Sequence, residues 1–209
     1  MKKRLYRLLR GSLSIILLAG ICACDLPFMV TAYKFERDRS LGFNGSFEFT
    51  KSGLPINWWV SRPSIEMGDT ELFFDTADPV EGKQSLKFVV HRSSENPGPG
   101  PPVLWPSMFQ TCKAEPGEKY SVSFWIKSSG GGFGIEIRNE GTDKRSDAVK
   151  QDLTEHPPVI EYFGEAMDEW RQHRYIYTVP KLDGTIRFQL NITRPCTVWI
   201  DDVRIEKIE

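Results

Sequence analysis

Trp125, Gln110, Glu136, Arg138, Arg187, Gln189 and Asn191 all fall on the non-core faces of runs with strand-like alternation. An aromatic ring bordered by amides, carboxylates and guanidinium groups suits one kind of ligand chemistry. The ring covers a flat apolar face, and the polar groups donate to and accept from the hydroxyls around it. A sugar ring has that shape. Trp125 lies opposite Tyr120, Phe124 and Ile126, where a large aromatic has no packing reason unless something covers it. If these strands share one sheet, Trp125 is the floor of a groove and the polar residues are its walls. The alternative is that Trp125 packs beneath the 139–169 excursion and the polar residues are simply solvated. Trp105, beside Pro106 in a Pro-rich loop, is placed to reach over such a groove. Trp58 or Trp59, Trp170 and Trp199 read as core or rim packing.

Reaction chemistry has weaker material. Glycoside hydrolysis needs two facing carboxylates roughly 5–9.5 Å apart. The nearest string, Glu136-Ile137-Arg138-Asn139-Glu140, carries an arginine where a middle acid would be needed. The chain has no G-x-S-x-G, H-E-x-x-H or Gly-rich phosphate loop. His173 near Tyr175 is a thin basis for a lyase. The expectation is a binding protein and not an enzyme, with a structural or protein-interaction module as the alternative and a glycoside-active enzyme after it.

The elements that must position these residues read as β throughout. Residues 119–127 (KYSVSFWIK) put Tyr120, Val122, Phe124 and Ile126 on one face, and residues 185–192 (TIRFQLNI) repeat the period with Ile186, Phe188, Leu190 and Ile192. Further strands are expected near 45–50, 57–60, 71–75, 85–90, 107–114, 133–138, 172–179 and 197–206. Short strands at this spacing, broken by Gly, Pro, Asn and Asp, make an all-β, two-sheet antiparallel β-sandwich. Residues 95–106 are too rich in Pro and Gly for a central strand. Residues 139–169 read as a long surface excursion, either wholly loop or with one short helix around 165–171.

The N-terminus is organised differently. Lys2, Lys3, Arg4, Arg7 and Arg10 precede an apolar run from Leu13 to Ala23 that is too short to span a bilayer, which is a signal-peptide layout. Ile21-Cys22-Ala23-Cys24 resembles a lipobox. That resemblance implies removal of residues 1–23, acylation of Cys24, and a lipid-anchored protein of the bacterial cell envelope; an ordinary secretory cleavage nearby is the alternative. Residues 24–43 then read as a tether and 44–209 as the folded module. Without residues 1–23 the 27 basic residues fall to 22 against 28 acidic ones, a net charge near −6. No basic cluster remains to follow a phosphate backbone, so nucleic acid is not an expected partner. Cys112 and Cys196 are left as the only cysteine pair behind Cys24, either as a disulfide or as two buried thiols.

Beyond the signal region, a series of strings falls in a familiar order. Asn44-Gly45-Ser46-Phe47-Glu48, Leu54-Pro55 before Trp58-Trp59, and Glu81-Gly82-Lys83-Gln84-Ser85-Leu86 come first. Gln110 to Gly117, Tyr120 to Phe124, Trp170 to Pro180 and Trp199-Ile200-Asp201-Asp202-Val203 follow. Residues 44–206 thereby resemble the carbohydrate-binding modules of the CenC type. The resemblance implies a galactose-binding-like jelly roll that binds polysaccharide or oligosaccharide, with envelope proteins as further partners. It also implies a structural Ca2+ held by Glu48 and Asp201 with carbonyls from Ser46 and Lys83, a set of hard oxygens of the kind calcium takes. The alternative is that Glu48 and Asp201 are ordinary strand-edge charges. The 139–169 insertion and the Pro-rich loop depart from the family pattern.

Overall fold

Alternating apolar residues build two antiparallel sheets whose inner faces form one core. The structure is a computed structural model that describes residues 33–93, 106–140, 160–181 and 184–209. Cys24, the signal region and Trp105 lie outside the described residues.

One sheet has six strands. They are β1 (Tyr33–Phe35), β4 (Trp59–Ser61), β7 (Ser107–Lys113), β12 (Thr185–Ile192), β9 (Phe133–Arg138) and β10 (Ile160–Gly164), in that spatial order. The other has five, in the order β11 (Met167–Thr178), β8 (Lys119–Ser128), β13 (Cys196–Lys207), β6 (Ser85–Val90) and β5 (Thr70–Asp75). A small ribbon pairs β2 (Thr50–Lys51) with β3 (Leu54–Pro55), and one short helix, α1 (Arg62–Glu66), follows β4. This is the expected all-β sandwich, with the non-sequential strand order of a jelly roll.

The inner faces are those the alternation marks. Ile186, Phe188, Leu190 and Ile192 are wholly buried, and so are Val122, Phe124 and Ile126 from the other sheet. Fully burying side chains of this size stabilises by about 1.5–3 kcal/mol each. Phe188 packs edge-on against both Trp58 and Phe124, which ties the two sheets together.

Three expectations about elements are corrected. Residues 45–49 are a turn with Phe47 at φ 57, not a strand. The motif beginning at Asn44 has a different task. Asn44 Nδ2 donates to Phe49 O and Ile56 O, its Oδ1 accepts from Phe49 N, and its carbonyl accepts from Trp58 Nε1. A Cβ on Gly45 would lie 1.8 Å from Val203 O, so only glycine allows this turn to press against β13. Second, Tyr33–Phe35, within the expected tether, pair with Ser61–Trp59 as the sheet edge. The apolar pattern of three residues is too short to signal a strand without its partner. Third, residues 160–164 and 167–171 are strand, where loop or a short helix was expected. Pairing of β10 with β9 and β11 with β8 supplies what local periodicity does not.

Candidate functional site

The outward face of the six-stranded sheet carries a continuous cross-strand row. Phe35 stands opposite Trp59, Trp59 opposite Phe109, Phe109 opposite Gln189, Gln189 opposite Glu136, and Glu136 opposite Glu161. In a sheet such pairs point to the same side within side-chain reach. The three aromatics use that proximity to stack. Phe35 and Trp59 have centroids 4.2 Å apart and planes within 4°, and Trp59 and Phe109 lie 6.0 Å apart within 8°. The guanidinium of Arg187, one row along, closes the stack 3.7 Å from the centre of Phe109. Trp59 keeps 37% of its surface open in this strip.

A cavity of about 460 Å³ opens beside the strip, lined by Phe35, Trp59, Phe109, Thr111 and Glu140 together with Arg37 and Arg39. The two arginines sit on a clamped segment. Asn57, only 7% exposed, donates from Nδ2 to Asp38 O and Gly42 O and accepts from Asp38 N at Oδ1, while its own amide donates to Glu36 O. Asp38 in turn caps the one-turn 3-10 helix at 39–41.

The polar groups around the strip are incompletely engaged. Thr111 Oγ1 and Gln189 Oε1 are buried and have no hydrogen-bond partner among the described residues. Gln189 Nε2 donates to Asn191 Oδ1 at 2.7 Å. Buried polar atoms normally find partners, so orphans beside an open cavity mark where a ligand hydroxyl or a water completes the set. Glu136 and Arg138 form an ion pair of 2.7 Å at the far end of the row.

Sequence-predicted residues divide accordingly. Arg187, Gln189, Glu136, Arg138 and Asn191 share this face as expected. Trp125 does not. It belongs to β8 in the five-stranded sheet, opposite Gln172 and Asp201, so it cannot floor a groove on the six-stranded one. Gln110 is core-facing by parity, opposite Phe188 and beside Met108, yet it lines the cavity and its Oε1 is buried with no hydrogen-bond partner among the described residues. Strand parity had been misread there, because Gln110 and the core-facing Cys112 are two apart and must point the same way. Phe35, Arg37, Arg39, Asn57, Trp59, Phe109 and Thr111 were missed. For Trp59 a signal existed: adjacent residues in a strand face opposite ways, so Trp58 and Trp59 cannot both be core.

Glu48 and Asp201 both bind the 80–84 turn, at its two ends. Glu48 Oε1 accepts from Lys83 N (2.8 Å) and Gln84 N (3.1 Å). Asp201 Oδ2 accepts from Val80 N and Glu81 N, and Oδ1 from Asp202 N. Burial pushes the Asp201 carboxyl up to about 6, against these amide bonds that favour its charged form. Glu48 Oε1 and Asp201 Oδ2 each accept two amide bonds, and Asp201 Oδ1 accepts one. Lys83 offers Glu48 its amide, Ser46 lies in the neighbouring turn, and no trio of metal-ligating side chains gathers among the described residues. The two carboxylates hold the 80–84 turn through its amides.

Cys112 and Cys196 are free thiols on strands of different sheets, the alternative to the disulfide. Burial raises both to about 11, which keeps them protonated and unreactive.

No family model and no curated protein matches the chain. Solved structures resemble it in fold. The enzymatically active domain of tailspike protein 4 of bacteriophage CBA120 is 18% identical, with a TM-score of 0.53, over 79% of this chain and 21% of that one. A CBM4 structure is 14% identical over 79% of this chain and 98% of that chain, with a TM-score of 0.48. TmCBM61 in complex with β-1,4-galactotriose is 15% identical over 84% and 100%, with a TM-score of 0.45. At such identity a likeness speaks to the β-sandwich alone.

Proposed function

We propose that this chain is a non-catalytic carbohydrate-binding protein that lays a polysaccharide or oligosaccharide along the Phe35–Trp59–Phe109 strip. The carrying observation is an apolar ring stack that lines a cavity with Thr111, next to acceptors that have no hydrogen-bond partner among the described residues: Thr111 Oγ1 and, across from Phe109, Gln189 Oε1. The CH-rich face of a sugar covers the rings while its hydroxyls reach those acceptors. Binding is favoured over hydrolysis because Glu140 is the one acid among the described residues that line the cavity, and Glu136, further along the row, is held in its ion pair with Arg138. The finer reading is a CenC-type module whose Cys24 carries a lipid, so that the binding face is displayed at the bacterial envelope. A binder gains from being fixed in place, and two or more acyl chains give stable anchoring.

Affinity electrophoresis of the full chain through gels containing a panel of glycans tests the reading. At least one glycan retards the chain, and Trp59→Ala abolishes the retardation. Mobility unaffected by every glycan overturns it. Metabolic labelling with a radioactive fatty acid, compared between the parent and Cys24→Ser, tests the anchor separately.

A further inference from the structure

We infer that the glycan held by this face is anionic, carrying carboxylate or sulfate groups; the inference rests on the carbohydrate-binding reading and deepens it. Among the described residues that line the cavity, Arg37 and Arg39 are the cations and Glu140 is the one acid. This local excess of positive charge stands on a chain whose formal net charge is −1.

Some cations elsewhere on the described surface are neutralised within the chain. Lys87, Lys127, Arg204 and Lys207 each have a carboxylate within the 4.0 Å of an ion pair. Arg37 and Arg39 have no such partner among the described residues, and both are exposed. Their backbone is not free to drift, because the buried Asn57 amide holds residues 38 and 42 on either side of Arg39. Two forked donors are thus presented at fixed positions beside an aromatic strip. A neutral sugar would leave their charge uncompensated. A uronate carboxylate or a sulfate ester accepts bidentate bonds from a guanidinium while the sugar face stays on the rings.

The test uses the full chain in affinity gels at roughly 0.15 M salt, where charges more than about 8 Å apart are largely screened. Each glycan is run as a matched pair: xylan with and without glucuronate branches, polygalacturonate with and without methyl esterification, and dextran with and without sulfation. The expected result is retention about tenfold stronger for the charged member of at least one pair. The first two pairs report carboxylate and the third sulfate. Arg37→Glu combined with Arg39→Glu removes that preference without shifting the melting temperature, since neither side chain has an ion-pair partner among the described residues. Equal retention of charged and neutral members overturns the inference, as does a charge preference that survives the double reversal or the Trp59→Ala change. Neutral retention that Trp59→Ala abolishes would then leave the carbohydrate-binding reading standing and the charge inference refuted, whereas no retention by any glycan refutes both.

Discussion

Both outer faces of the sandwich display tryptophans, yet they differ in how far the described residues satisfy the polar groups around them. On the five-stranded face Trp199 Nε1 donates to Asp75 Oδ2 at 2.8 Å and Trp170 Nε1 to Asp78 O at 2.9 Å. Lys127 Nζ lies 4.8 Å from the Trp170 ring, 5.2 Å from that of Trp199, and 2.7 Å from Asp78 Oδ2. Lys87 sits over Trp199 and within 3.5 Å of Asp75. Donor, cation and acid are matched within the chain. The Trp199 and Lys127 partners hold Asp75 and Asp78 below the usual carboxylate range. On the six-stranded face the rings stack but the polar set stays incomplete among the described residues: Thr111 Oγ1, at the cavity, and Gln189 Oε1 have no hydrogen-bond partner. Counting aromatics does not separate these faces. Asking which polar groups are already satisfied does.

The contrast can be broken most directly by truncating one tryptophan on each side. Trp59→Ala should lower glycan retention by about tenfold or more, as truncation of a binding hot spot does, with a small change in melting temperature. Trp199→Ala should do the reverse: retention unchanged, stability lower by about 1–3 kcal/mol in denaturant titration, from the lost hydrogen bond and ring contacts. If both variants lose binding, the distinction between the faces fails. Asn57→Ala should cost about 2–3 kcal/mol, because it removes three hydrogen bonds and leaves alanine at φ 72. It should also weaken retention by loosening the segment that bears Arg37 and Arg39.

A smaller effect is pH-dependent. His173 is packed against Phe124 and Tyr162 with its Nε2 buried and unpartnered, and burial, with Arg171, lowers its pKa below 6.5. Below pH 6.5 the unfolded chain takes up a proton that the folded one resists, so the His173 contribution falls with pH until the folded form also titrates. Asp201 works oppositely. Its folded pKa of about 6 lies above 3.8, so its contribution is full below pH 3.8 and is lost as pH rises through about 6. His173→Phe should therefore narrow the loss of melting temperature between pH 7.5 and pH 5, while leaving retention on the opposite outer face unchanged. A wild-type loss that persists in full would show that His173 is not its source.

Smaller still, Glu161→Lys replaces a like-charge pair opposite Glu136 and should stabilise by about 0.2–1 kcal/mol, read as a shift in denaturant midpoint. At the end of the scale, a chelator should leave the melting temperature unchanged if amides alone close the Glu48 and Asp201 clasp. A drop of several degrees would place a cation there.

How far the sequence was legible varies by element. Residues 85–90, 133–138 and 185–192 were bounded as the structure has them, because a strand buried on one face writes its period into every second residue. Polar residues of β9 and β12 came with them, since parity alone puts Glu136, Arg138, Arg187 and Gln189 on the outer side. Edge strands β1 and β10 were not legible: their stability comes from a neighbour's hydrogen bonds more than from their own pattern. Trp125 was the costliest error. Its parity was read correctly as outward, but the sheet to which it is outward is a matter of strand pairing.

By itself, then, the sequence determined which residues point in and which point out, since burial of alternate apolar side chains is a local period that needs no partner to be seen. Tertiary structure decided which outward residues are neighbours. It brought Phe35 to Trp59 and Phe109 from separate parts of the chain, and it placed Arg37 and Arg39 at the cavity through the Asn57 amide. Strand order depends on how two sheets jointly bury one core, and no stretch of sequence carries that long-range balance alone.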